Sequence, residues 1–143
     1  MDYIFQDIYM TPEGDLDISA AGDIKLADSF ETVKQIVTLI VKTDKGDLVT
    51  NNNIGADLGV FYGRGMSKNT LVSMEKSIFF NLQNYILSPS DFQVHCIPVE
   101  HDTVGVFVAI GGTYLDIDGK ELEAGSEVLQ FVFPYGEGSP TLL

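Results

Sequence analysis

The 143 residues contain no tryptophan, a single cysteine, two histidines and only eight lysines and arginines against 21 aspartates and glutamates. Each scarcity narrows the field. Cys96 alone cannot close an internal disulfide, so it suits a reducing compartment or a small apolar core position. A net charge of −13 repels phosphate backbones and anionic lipid at long range, which makes nucleic acid and membrane surfaces poor partners. No apolar run approaches the ~20 residues of a bilayer span. Met1-Asp2-Tyr3 offers neither the basic start nor the apolar stretch of a secretory signal. A soluble chain made in the cytosol is expected. The missing tryptophan also removes a common platform for sugar rings, a role tyrosine can still fill.

The rest is ordinary for a globular protein: 45% hydrophobic residues and 14 glycines, in a length that suits one domain with its own core. Neither repeats nor low-complexity tracts divide it. The charge is unevenly spread, with seven acids and one lysine in residues 1–28, five acids and six bases in 29–90, and nine acids and one lysine in 91–143. The near-neutral middle suits close docking against other proteins, although mixed charge on helices explains it equally well. A single domain over 1–143 is expected, made of an arm (1–21), a helical half (22–90), an antiparallel sheet (91–135) and a tail (136–143).

Tyr3 to Ile18 reads as a loose arm anchored by Ile4, Phe5, Ile8 and Tyr9, with a turn at Thr11-Pro12-Glu13-Gly14. Asp23-Ile24-Lys25-Leu26-Ala27 alternates like a short lead-in strand. Asp28, followed three residues on by Glu31, has the form of a capping box. It starts a helix whose buried stripe is Phe30, Val33, Ile36, Val37, Ile40 and Val41, and Gly46 supplies the stop. Glycines and Asn51-Asn52-Asn53 mark a connection of about twenty residues, which calls for a helical turn near Ala56 to Phe61. A second helix over Ser67 to Leu87 carries Leu71, Met74, Ile78, Phe79, Leu82, Tyr85 and Ile86 on one face, and Pro89 ends it.

From Phe92 the period falls to two, giving antiparallel strands over 92–97, 104–110 and 128–133. Asp118-Gly119 between apolar residues marks a two-residue hairpin with both central residues at positive φ. The fold class is therefore α+β: two main helices packed on a small antiparallel sheet, preceded by the arm and the lead-in strand. The later strands are apolar on both faces, so the second face is covered either by the arm or by something outside the chain.

The order of Gly22-Asp23-Ile24, Val33, Gln35, Ile36, Ile40, Thr43, Gly46, Ile54-Gly55 and Leu58 resembles the lysozyme-like baseplate wedge family of contractile-tailed phages and related injection machines. The resemblance covers roughly residues 14 to 90. It implies a structural subunit and not an enzyme, with no cofactor and no metal. Such a subunit clamps the other baseplate wedge subunits and offers sheet edges to the tail sheath protein by strand addition, in a hetero-oligomeric tail baseplate assembled in the host cytoplasm. The interface residues selected on this basis are Ile54, Leu58, Arg64, Val128, Leu129, Phe131 and Phe133. Where family members place Glu-Pro-Arg after the second helix, this chain has Ser88-Pro89-Ser90, so either the contact with the wedge's helical bundle differs or the match is remote.

Two alternatives stand beside this: a peptidoglycan-cleaving, lysozyme-like hydrolase of a tail, and an acidic accessory or ligand-binding domain of a tail. A glycosidase needs two carboxylates, one kept protonated by apolar surroundings. Glu75, beside Met74 and one turn from Leu71 and Phe79, is the strongest candidate, against its plainer reading as a boundary residue reaching water or a base. His95, Cys96, Glu100, His101 and Asp102 cluster like material for a metal or Cys-His site. Successive strand residues point to opposite faces, however, and Cys96 shares its face with Phe92 and Val94. Asp116, Asp118, Glu121, Glu123 and Glu127 imitate a calcium loop but place Glu121 where glycine is required, which favours a charged hairpin tip. Gly63-Arg64-Gly65-Met66-Ser67-Lys68, just before a helix, is able to hold an anion or to meet a partner's carboxylate. It lacks the Walker and Rossmann spacings, and a solvent-exposed loop is the plainer reading.

Overall fold

Apolar stripes on two helices meet the inner face of a four-stranded antiparallel sheet in the computed structural model, which describes residues 2–11, 15–61, 67–100, 103–122, 126–134 and 141–142. In chain order the elements are β1 (Asp2–Ile4), β2 (Asp7–Ile8), β3 (Leu26–Ala27), α1 (Ser29–Lys42), α2 (Lys68–Tyr85), β4 (Phe92–Glu100), β5 (Thr103–Ile110), β6 (Thr113–Leu115), β7 (Glu127–Pro134) and β8 (Thr141–Leu142). The arrangement is α+β.

Asp28 caps α1, its Oδ1 accepting the Glu31 N–H at 2.8 Å. The helix buries Phe30, Val33, Val37, Ile40 and Val41, while Ile36 is half-buried. It ends at Thr43, whose backbone is extended, before Gly46 is reached. The cause is competition from side chains. Asp44 turns its carboxylate to the Gly59 N–H at 3.1 Å, and the Asp44 N–H donates to Asp47 Oδ2 at 3.0 Å. Gly46, at φ 94, serves the turn that follows instead of the helix end.

A 3₁₀ turn over Leu58–Phe61 occupies the long connection where a helical turn was expected. Ser67 then caps α2, accepting the Thr70 N–H, and Met74, Ile78 and Leu82 are fully buried along its inner stripe. Tyr85, expected in that stripe, is 38% exposed. The chain leaves the helix before Pro89, because the Ile86 and Leu87 N–H groups both donate to Leu82 O. Pro89 opens a short 3₁₀ turn over Pro89–Asp91.

The sheet runs in the order β4-β5-β7-β8, with Val94, Val108 and Leu129 in one inward row and Cys96, Val106 and Phe131 in the next. Helix α2 lies against β4, and α1 against α2. After β6 the chain reverses through a three-residue loop, Ile117 to Gly119, and not through two residues. The Asp116 N–H donates to Lys120 O at 2.7 Å, Leu115 pairs with Glu121, and Gly119 alone among the loop residues has positive φ, 89°. Asp116 Oδ1 accepts the N–H groups of both Asp118 and Lys120, fixing the wider turn.

The N-terminal arm differs most from expectation. Its anchor is Tyr3, 2% exposed, whereas Ile4, Phe5 and Ile8 are well exposed. Strand β1 pairs in parallel with β6, and the Tyr3 ring stacks on Tyr114 at 5.1 Å. The Tyr3 hydroxyl donates to Asp91 Oδ2 at 2.6 Å and accepts the Ser88 N–H at 2.9 Å. Beyond β1 the arm closes on itself. The segments 7–11, 15–19 and 23–27 each bond to both others, through β2 with β3, Met10 with Leu16, and Ile18 with Ile24. Pro12 to Gly14, in the expected turn, lie outside the described residues, but the Thr11 N–H donates to Asp15 O at 2.8 Å.

Candidate interaction surface

A strand edge carries unpaired N–H and C=O groups, and an open apolar face favours burial, so edges and faces decide what this chain can hold. On the β4 side, Glu75 reaches from α2 and its Oε1 accepts the Cys96 N–H at 2.9 Å. The carboxylate with the best position for glycosidase chemistry is thus half-buried and engaged with the edge backbone. Cys96 points into the core, where burial, and secondarily the Glu75 charge, push its thiol up to about 12. His95 faces outward. Among the described residues no three His, Cys, Asp or Glu side chains stand together as a metal site. His101, Asp102 and Glu123 lie outside them.

On the other edge, β8 covers β7 at Phe131 and Val132, so the end of the chain takes part of the place expected for an incoming strand. Glu127 to Gln130 have no strand beside them on that side among the described residues. Of the selected interface residues on β7, Val128 is 49% exposed on the outer face. Leu129, Phe131 and Phe133 point inward and are buried. Leu58 is also a core side chain, Ile54 is half-buried against the core, and Arg64 lies outside the described residues. Of the selected residues on β7 only Val128 faces outward, in line with Gln130 and Val132 and beside the strand's backbone edge.

Among the described elements, none is packed over the outer face. Its rows are Gln93, Ala109 and Val128; His95, Phe107 and Gln130; and Ile97, Gly105 and Val132. Ile97 and Val99 are more than half exposed. Gly105 leaves room for Val99 and Phe107 to close over β5, since a Cβ there would stand 2.9 Å from Val99 Cγ2. The arm's described strands β1 and β3 pack instead on α1, with β1 also paired to β6.

The Ile54-Gly55 segment is clamped between the helices. Buried Asn81 of α2 accepts the Gly55 N–H at 2.9 Å and donates to Asn53 O at 3.1 Å. The Ala56 N–H donates to Ile40 O at 3.0 Å. Gly55 sits at φ +135, and a Cβ there would fall 2.6 Å from Thr43 O, so only glycine fits. Sequence reasoning missed Asn81 and Tyr3. A polar residue inside the apolar stripe of α2 was the available signal for the first.

No family model matches the sequence, and no curated protein matches it. The fold has a solved counterpart. A chain in the cryo-EM structure of the anti-feeding prophage (AFP) baseplate, 6-fold symmetrised, has a TM-score of 0.54 to this one at 12% identity, over 94% of this chain and 88% of that chain. The likeness is one of fold, and its coverage takes in helices and sheet together.

Proposed function

We propose that the chain is a structural subunit of the baseplate of a contractile injection particle, where it clamps wedge subunits and templates attachment of the sheath by strand addition. The observation that carries this reading is the fold likeness to an AFP baseplate chain along nearly the whole of both chains. The open stretch of β7 supports it. An incoming strand laid along Glu127 to Gln130 satisfies that edge and sets alternate side chains beside Val128 on the apolar outer face. The test is electron microscopy of particles assembled without this chain. Baseplates that fail to form, or tubes that lack sheath, are expected, and intact baseplates with normal sheaths would reject the role. In the same assay Val128→Glu, a surface change that leaves the core alone, lowers the fraction of sheathed particles.

A further inference from the structure

Eight of the seventeen large apolar side chains exposed among the described residues lie between Ile4 and Leu26. Three facing pairs account for six of them: Ile8 with Leu26, Met10 with Leu16, and Ile18 with Ile24. Exposed apolar pairs concentrated on one small knob are a mark of a docking surface. The knob presents side chains and not a free strand edge. Asp7, Asp17 and Asp23 each accept the N–H of the next residue, at 2.7, 2.8 and 2.8 Å, which closes those donors to an incoming strand.

Where the knob meets the Asp116–Lys120 hairpin there is a concavity of about 180 Å³, rimmed by Phe5, Leu26 and Ile117. Cavities of about 150 Å³ take up a benzene, so this one has room for a single large apolar side chain. The charged residues that line it are Asp28 and Asp116, both acids. Behind Asp28 stands Glu31, with Oε2 buried and without a hydrogen-bond partner. Lys25 and Lys34 stand near enough to draw the Glu31 carboxyl down in part, but each also has a partner of its own: Lys25 lies over the Tyr9 ring at 4.2 Å, and Lys34 pairs with Glu127 at 3.1 Å. The N-terminus of α1 contributes only about half a positive charge, less than these carboxylates carry.

We infer that this groove receives a segment of a neighbouring subunit that inserts one large apolar side chain beside a lysine or arginine. An apolar pocket with an acidic rim discriminates in favour of that pairing, because the base answers Asp28 and Asp116 while an acidic neighbour is repelled. The inference rests on the baseplate reading. It is tested in purified particles carrying a benzophenone amino acid at Ile117, with Val49, 93% exposed, as the control position. Irradiation is expected to join position 117 to another subunit within two residues of a lysine or arginine. Leu26→Asp, itself a surface change, is expected to lower that yield several-fold, with thermal melts confirming that the variant is folded. Particles that contain the chain but give no cross-link from 117, or one to a segment without a base or to a second copy of this chain, overturn the groove and leave the baseplate reading standing. Particles from which the chain is absent by mass spectrometry overturn both.

Discussion

Gly55 shows how one residue holds the helical half together. Replacement by alanine forces a β-carbon against Thr43 O in a backbone region that side chains rarely adopt. Gly55→Ala is expected to destabilise the fold by about 1–3 kcal/mol or more, read from urea unfolding. Glu31 makes the opposite case, of a group whose removal helps. Burial first, and then the Asp28 charge, hold its carboxyl above the usual carboxylate range. Since its folded pKa exceeds its unfolded value of about 4.3, the folded state is favoured below that pH and loses this advantage as pH rises through the folded pKa. Glu31→Gln therefore raises the melting temperature at pH 7, and the gap to the parent closes towards pH 4. A gap that widens on acidification contradicts the assignment.

At the scale of elements, the Glu75 carboxylate closes one donor of an edge strand from the neighbouring helix. Glu75→Ala leaves the Cys96 N–H without its partner. A loss of about 1–2 kcal/mol is expected, together with concentration-dependent association by light scattering, as the β4 edge opens. The two helices and the three long strands were legible in the sequence because their apolar periods of 3.6 and 2 are set by burial on one side. Their ends were not. The side chains of Asp44 and Asp47 compete for backbone groups and end α1 before the glycine does. The knob was illegible for another reason, since its pairings are one or two residues long and join segments too short to carry a period. Its visible trace is the recurring Asp-Ile dipeptide at 7, 17 and 23. Among the interface residues, alternation on β7 separated Leu129, Phe131 and Phe133 from Val128, but with both faces apolar it left open which one is buried, and burial puts the first three in the core.

For the molecule as a whole, 21 acids against eight bases leave a surplus that opposes compaction. Moderate salt screens such repulsion over a Debye length of about 10 Å at 0.1 M. The melting temperature is accordingly expected to rise between 10 and about 150 mM NaCl by calorimetry, and a fall would mean that attractive pairs dominate. The position of β8 has a kinetic corollary. Six residues join it to β7, and a short tether presents a strand to its site at roughly millimolar effective concentration. A rival strand diffusing freely at micromolar levels loses that contest, whereas one already immobilised alongside competes on equal terms. On the proposed baseplate reading the tether is a timer, deferring exchange at the β7 edge until neighbouring subunits are in place.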